Sequence, residues 1–168
     1  MTEPRTSSGS AIHVLFVCLG NICRSPMAEA VFRHMVDAAG LSQYIKVDSA
    51  GTGGWHIGEP PHIGTRRVLQ RRGIPIAHAA RVIGSADFAQ FDYVIALDRT
   101  NLRDIRQISG SSAARVALLL EYAPHRNMSD VPDPYFTGQF DEVYDLIEQA
   151  CRGLLQQIIR THHLPAKL

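Results

Sequence analysis

The segment Cys18-Leu19-Gly20-Asn21-Ile22-Cys23-Arg24-Ser25 sets a thiol, a guanidinium and a hydroxyl around one short loop. An apolar run, His13-Val14-Leu15-Phe16-Val17, precedes it, and Ser25-Pro26 opens a helix after it. A loop between a buried strand and a helix N-terminus turns backbone N–H groups inward and adds the partial positive charge of the helix end. The result is a cradle for a phosphate dianion. Gly20 and Asn21 both tolerate the positive φ that a tight anion-binding loop tends to require. Arg24 offers a planar fork to two phosphate oxygens. Cys18 falls where the strand ends, so the same N–H groups and guanidinium would hold its sulfur as a nucleophile facing phosphorus. Ser25 can donate a hydrogen bond to that sulfur.

A lone cysteine before a helix is usually a buried structural side chain. Its combination with Arg24, Ser25, Pro26 and two loop-forming residues is what points to chemistry. The nucleotide P-loop is excluded, because that pattern carries a second glycine followed by lysine and Ser/Thr. A phosphate ester also needs a proton for its leaving oxygen. Val131-Pro132-Asp133-Pro134-Tyr135 offers Asp133, stiffened by proline on either side. Taken alone Asp133 suits a turn equally well; beside the Cys18 loop, a general acid worth ~10²–10⁴ in rate is the better assignment.

The surrounding elements must position these groups. The run before Cys18 reads as a strand buried on both faces. Pro26 suits the first turn of the next helix, whose stripe of Met27, Ala30, Val31 and Met35 ends at Gly40. A second strand is predicted over 44–49, a Gly-rich loop at 51–54, and a helix over 63–72 stopped by Gly73 and Pro75. Further strands are predicted over 93–97 and 115–120, with a helix over 101–108 between them. Residues 124–138 carry three prolines and read as one long loop, often a functional feature in a compact domain. Phe140, Val143, Tyr144, Ile147, Cys151, Leu154, Leu155 and Ile158 recur at helical spacing, predicting a core-packing helix over 140–160. Alternating strands and helices predict an α/β fold: a three-layer open, mainly parallel four-stranded sheet with helices on both faces.

The 168 residues fit one domain, assigned to 12–168, after a polar tail over 1–11. Apolar residues make up 45% and charged residues 20%, enough to fill a core. A formal net charge of +1 gives no global field for nucleic acid or membrane binding. Cys18, Cys23 and Cys151 are too few for a secreted disulfide scaffold and suit a reducing compartment. The tail lacks the apolar stretch of a signal peptide, and no run approaches the roughly 20 residues of a membrane span. A cytoplasmic location is expected, with export lacking a signal peptide left open.

Several motifs together resemble the low-molecular-weight protein tyrosine phosphatases. They are Cys18 to Ser25 with Pro26-Met27-Ala28-Glu29, Asp48-Ser49-Ala50-Gly51-Thr52, Gly73-Ile74 with His78, Ala80 and Arg81, Leu97-Asp98 with Asn101-Leu102, and Asp133-Pro134-Tyr135. The likeness covers most of the chain, from about residue 12 to 160. The resemblance implies that Cys18 forms a phosphocysteine, Arg24 binds the equatorial oxygens, and Asp133 serves as acid and then base. It implies a phosphotyrosine-containing protein as substrate and inorganic phosphate as product and inhibitor. No cofactor and no metal is expected, since the loop and Arg24 supply the positive field. Asn21, Ser49 and His78 match positions that hold the phosphate loop in shape, and Trp55, Tyr135 and Phe136 match walls of an aryl pocket.

Departures from the family pattern also carry meaning. Phe136 stands where many relatives carry a second tyrosine, so only Tyr135 keeps a phosphorylatable hydroxyl there. Ile22 stands where relatives acting on phosphoarginine carry threonine, and its bulk favours an aromatic leaving group. Cys23 is either a small buried side chain or a partner that traps oxidised Cys18 as a disulfide. A thioredoxin-coupled arsenate reductase would need further cysteines over 77–92, where there are none. A cysteine phosphocarrier has no use for Asp133, and a catalytically dead phosphopeptide-binding module would not keep nucleophile, arginine and acid together.

Overall fold

The computed structural model describes residues 10–167. The larger part of the tail expected over 1–11 lies outside the described residues; Ser10 and Ala11 precede the first strand. Strands β1 (Ile12–Cys18), β2 (Ile45–Gly51), β3 (Tyr93–Ala96) and β4 (Arg115–Leu118) form a four-stranded sheet in the order β2-β1-β3-β4. Every pairing is parallel, with Cys18 opposite Gly51 and Val17 opposite Ala96. The period of two along β1 divides the core. Val14, Phe16 and Cys18 enter the larger cluster, while Leu15 and Val17 enter the smaller one on the opposite face.

Helices α1 (Arg24–Ala38), α2 (Ile63–Arg71) and α6 (Phe140–His162) cover the larger cluster. Helices α3 (Asp87–Gln90) and α4 (Arg99–Ser109) cover the smaller one through Phe88, Leu102 and Ile105. The sheet is thus sandwiched in three layers, as expected for an α/β fold. The chain leaves β1 for α1 on one face and β3 for α4 on the other. The crevice between those two departures is where open α/β sheets bind ligands.

Several boundaries differ from the sequence-based expectation. The fourth strand stops at Leu118 rather than continuing to residue 120, and a 3₁₀ turn follows over Leu119–Tyr122. Leu119 and Leu120 are buried there, and the Tyr122 carbonyl descends onto α6 at Gly153, where a Cβ would sit 2.0 Å from that oxygen. Helix α4 begins at Arg99, two residues early, because the Asp98 side chain caps it. The stretch over 124–138 holds a 3₁₀ turn and a short helix, α5 (Pro134–Thr137), capped by Asp133. Helix α6 runs on to His162, and Cys151 is wholly buried within it. No described helix is long and apolar enough to cross a membrane.

Candidate active site

The loop after β1 is shaped by where its carbonyls go. Cys18 O accepts from Thr52 N–H (2.9 Å), Leu19 O from Gly53 N–H (2.9 Å) and Ile22 O from His62 N–H (2.7 Å). Cys23 O accepts from the Thr65 hydroxyl at 3.0 Å. Four of the loop's carbonyls thus pair with the neighbouring segments over 52–53 and 62–65, and Ser25 N–H reaches Cys18 Sγ at 3.4 Å. Asn21 takes the left-handed conformation, φ 56°, that the turn demands. Gly20 does not share it. The expectation of positive φ at both residues therefore holds for Asn21 alone, and Gly20 instead lies beside the His56 ring.

Asn21 is also the hub of a buried hydrogen-bond chain. Its Nδ2 donates to Ser25 Oγ (2.8 Å) and to Ser49 Oγ (3.0 Å), and its Oδ1 faces His78 Nε2 (2.7 Å) and accepts from Arg81 N–H (3.0 Å). Ser49 donates in turn to Glu29 Oε1 at 2.7 Å. Ser25 Oγ accepts from Asn21 and lies 2.9 Å from Cys18 Sγ and 3.4 Å from the Ala50 carbonyl, the two partners open to its hydroxyl proton. Burial pushes the Glu29 carboxyl up, but hydrogen bonds from His78 and Ser49 and the charges of His78 and Arg33 outweigh it, leaving it below the usual carboxylate range.

Glu29, Asp48 and His78 hold three potential metal-ligand atoms within 4.8 Å of one another. Arg33 and Ser49 already occupy Glu29, and Arg81 occupies Asp48, so this set is an ion-pair network bracing the loop.

Arg24 begins α1 and is 3% exposed. Its Nη1 donates to Asp98 Oδ2 (2.7 Å) and Val131 O (2.9 Å), and its Nη2 to Asp133 Oδ2 (3.4 Å). Burial works against the guanidinium's charge, but the nearby Cys18, Asp98 and Asp133 raise its pKa overall. Asp98 follows β3 and Asp133 precedes α5, so the guanidinium bridges the two sides of the crevice. The second Asp133 oxygen accepts from Tyr135 N–H at 3.1 Å, which holds the carboxyl over the pocket. The Cys23 thiol is shifted upward as well. Burial first, then the charges of Cys18 and Asp133, push it up to about 12, which keeps it protonated.

These groups meet in a cleft of about 240 Å³, floored by Cys18, Leu19, Gly20, Ile22, Cys23 and Arg24 and walled by Trp55, His56, Asp133, Tyr135 and Phe136. Trp55, Tyr135 and Phe136 are 72%, 53% and 76% exposed, so the walls are apolar surfaces open to a flat ring. Asn21, Ser25, Ser49 and His78 do not line the cleft and are bonded to one another beside it.

Four contributors had no role assigned to them from sequence. Asp98 and Glu29 were visible only as parts of motifs, and His56 and the Val131 carbonyl not at all. A carboxylate directly after a buried strand at the crevice is a signal that identifies Asp98. An acid on the buried stripe of a helix identifies Glu29. A backbone carbonyl has no sequence signature.

Residues 13–164 match the model of the low molecular weight phosphotyrosine protein phosphatases. The chain is 49% identical over 155 residues to the low molecular weight protein-tyrosine-phosphatase YfkJ of Bacillus subtilis, covering 91% of this chain and 99% of that protein. The crystal structure of YfkJ superposes with a TM-score of 0.89, covering 92% of this chain and 98% of that one. PtpA of Staphylococcus epidermidis, another low molecular weight protein-tyrosine-phosphatase, is 44% identical over 153 residues, 91% of this chain and 97% of its own. The drosophila arginine phosphatase structure is 36% identical with a TM-score of 0.81, covering 86% of this chain and 96% of that one. The chain belongs to the low molecular weight phosphotyrosine protein phosphatase family.

Proposed function

We propose that this protein hydrolyses phosphotyrosine in protein substrates, through a phosphocysteine on Cys18. The observation that carries the proposal is the meeting of Cys18 Sγ, the Arg24 guanidinium and the Asp133 carboxyl in one cleft, with a hydroxyl 2.9 Å from the sulfur. The Cys18 sulfur attacks phosphorus, and a P–S bond forms as the bond to the phenolic oxygen breaks. Asp133 passes its proton to that oxygen, and tyrosine leaves. Water then attacks phosphorus, giving a proton to Asp133, while the P–S bond breaks and inorganic phosphate is released. Arg24 and the loop N–H groups hold the equatorial oxygens in both steps, and two moderate displacements replace one difficult one. Inorganic phosphate fits the same loop and inhibits.

Asp133 Oδ2 accepts from Arg24 Nη2 at 3.4 Å. A phosphate dianion takes that guanidinium for its own oxygens and frees the carboxyl for the leaving group. The Ser25 hydroxyl stabilises the sulfur as it is expelled in the second step. Ile22, 7% exposed in the floor, adds an apolar surface that suits an aryl ester over phosphoarginine, and the Trp55 and Tyr135 faces act in the same sense.

The test is phosphate release from a phosphotyrosine peptide and from p-nitrophenyl phosphate, in chelator, by the native protein and by Cys18→Ser. Turnover by the native protein alone is expected. Turnover by both, or by neither, overturns the proposal. Faster cleavage of phosphoarginine than of phosphotyrosine overturns the aryl assignment.

A further inference from the structure

We propose that His62 is a positioning residue for the reaction, its imidazole serving as the plate against which the turn carrying Asp133 is set relative to the phosphate loop. His62 belongs to none of the sequence motifs that carry the family likeness, yet it touches both halves of the site. Its N–H donates to Ile22 O at 2.7 Å, fixing it to the phosphate loop. Three residues on, Thr65, fully buried, donates its hydroxyl to Cys23 O at 3.0 Å, so the start of α2 is tied to that loop twice. The ring faces the other half. It stacks on Phe140 with centroids 5.0 Å apart and planes 18° apart, and meets Tyr135 edge-on at 6.0 Å.

Tyr135 and Phe140 both follow the acid along the chain, Tyr135 within α5, which Asp133 caps, and Phe140 at the start of α6. Tyr135 N–H holds Asp133 Oδ1, and Phe140 opens α6 two residues beyond the end of α5, after Gly138 and Gln139. An imidazole in contact with both residues limits how far α5, and the carboxyl that caps it, can shift relative to the phosphate loop. Neighbouring residues accommodate the stack. Gly64 leaves the space that the Phe140 ring occupies, since a Cβ there would lie 2.5 Å from ring carbons. Phe140 in turn packs against Ile22, Cys23 and Ala80.

Helix capping accounts for only part of this residue. His62 Nδ1 accepts from Gly64 N–H at 2.9 Å and so caps α2. Aspartate, asparagine or serine would do the same with a short side chain and no ring. The contacts with Tyr135 and Phe140 need the ring and add to what burial alone supplies. They act on the turn and not on the cap.

The two roles separate in paired variants. His62→Asn keeps a capping acceptor and loses the ring; His62→Phe keeps a ring and loses the acceptor. Each is assayed for its unfolding midpoint and for kcat/KM on p-nitrophenyl phosphate and on phenyl phosphate, whose poorer leaving group depends more on the acid. His62→Asn is expected to lose about tenfold more on phenyl phosphate than on p-nitrophenyl phosphate, a mispositioned acid forfeiting part of its ~10²–10⁴ contribution. His62→Phe is expected to keep the native ratio between the substrates while its midpoint falls. A native ratio in His62→Asn, or a shifted ratio in His62→Phe, overturns the proposal. Phe140→Leu removes the surface under the imidazole and must shift the ratio as His62→Asn does; an unchanged ratio overturns the proposal even where the asparagine variant fails to fold. The inference rests on Asp133 being the acid, which Asp133→Asn tests by itself. If that variant leaves the ratio native, the acid assignment fails; if it shifts the ratio and the His62 and Phe140 variants do not, only the role of His62 fails.

Discussion

Replacing Asp98 tests how the guanidinium of Arg24 is held. One Asp98 oxygen accepts from Arg24 at 2.7 Å, and the other accepts from Asn101 N–H at 2.7 Å as the cap of α4. Alanine removes both bonds. Loss of an N-cap costs about 1 kcal/mol. Breaking a buried ion pair costs about 3–5 kcal/mol, and the lower end applies because Asp98 is partly exposed and Asp133 remains near Arg24. The sum is about 4 kcal/mol. At about 2–4 °C per kcal/mol for a chain of this size, the unfolding midpoint falls by about 8–16 °C. Asparagine keeps the cap and a neutral acceptor, so about 2 kcal/mol and about 4–8 °C are expected. In both variants Arg24 leans toward Asp133 and gives up a charge-assisted bond to phosphate worth about 1.5–3 kcal/mol, lowering kcat/KM by about 10–100-fold. Thermal unfolding, kcat/KM on a phosphotyrosine peptide and the inhibition constant of phosphate measure these effects. An asparagine variant with native midpoint and native phosphate inhibition would show that Val131 O and Asp133 suffice to orient Arg24, and Asp98 would then have no part in holding it.

Three further outcomes follow from the geometry. Asn21→Ala forces a β-carbon residue other than Asn into the left-handed region and strands the buried Arg81 N–H, for about 2–4 kcal/mol together; Asn21→Gly recovers only the backbone share of about 1–2 kcal/mol, as denaturant unfolding of the two variants will show. Glu29 has its pKa depressed in the fold, so its stabilisation is complete above the ordinary carboxylate range and is lost as pH falls through the folded value; Glu29→Gln is expected to be less stable at neutral pH and to lose less on acidification, read from unfolding midpoints across pH. Gly153→Ala would raise helix propensity by about 1 kcal/mol in an open helix, yet here the new methyl meets the Tyr122 carbonyl, so a net loss of about 1–3 kcal/mol in unfolding free energy is expected, and a gain would contradict the close approach of that carbonyl to α6.

The legible parts of this chain were those written in local pattern. β-branched runs marked the strands, the 3.6 period marked α6, and the Cys18-to-Ser25 spacing marked the loop between strand and helix. Residue types that need partners far away were harder to read. Leu119 and Leu120 continue an apolar run and look like strand, but tertiary packing under α6 bends them into a 3₁₀ turn. Gly20 and Asn21 are equally suited to positive φ by type, and only the loop's outward bonds decide which of them adopts it. His62 belongs to no motif in the sequence, because neither Phe140 nor Tyr135 is near it along the chain.

The partners that hold Arg24 lie 74, 107 and 109 positions away along the chain. Closing loops of that length costs conformational entropy that local contacts cannot offset, so such pairings form late in folding. No fragment lacking the segment around Asp98 or Asp133 can orient the guanidinium, and a nascent chain carries the Cys18 thiol long before it carries the means to use it. Recovery of turnover after dilution from denaturant is therefore expected to lag behind recovery of the helix signal, which a stopped-flow comparison of the two reads.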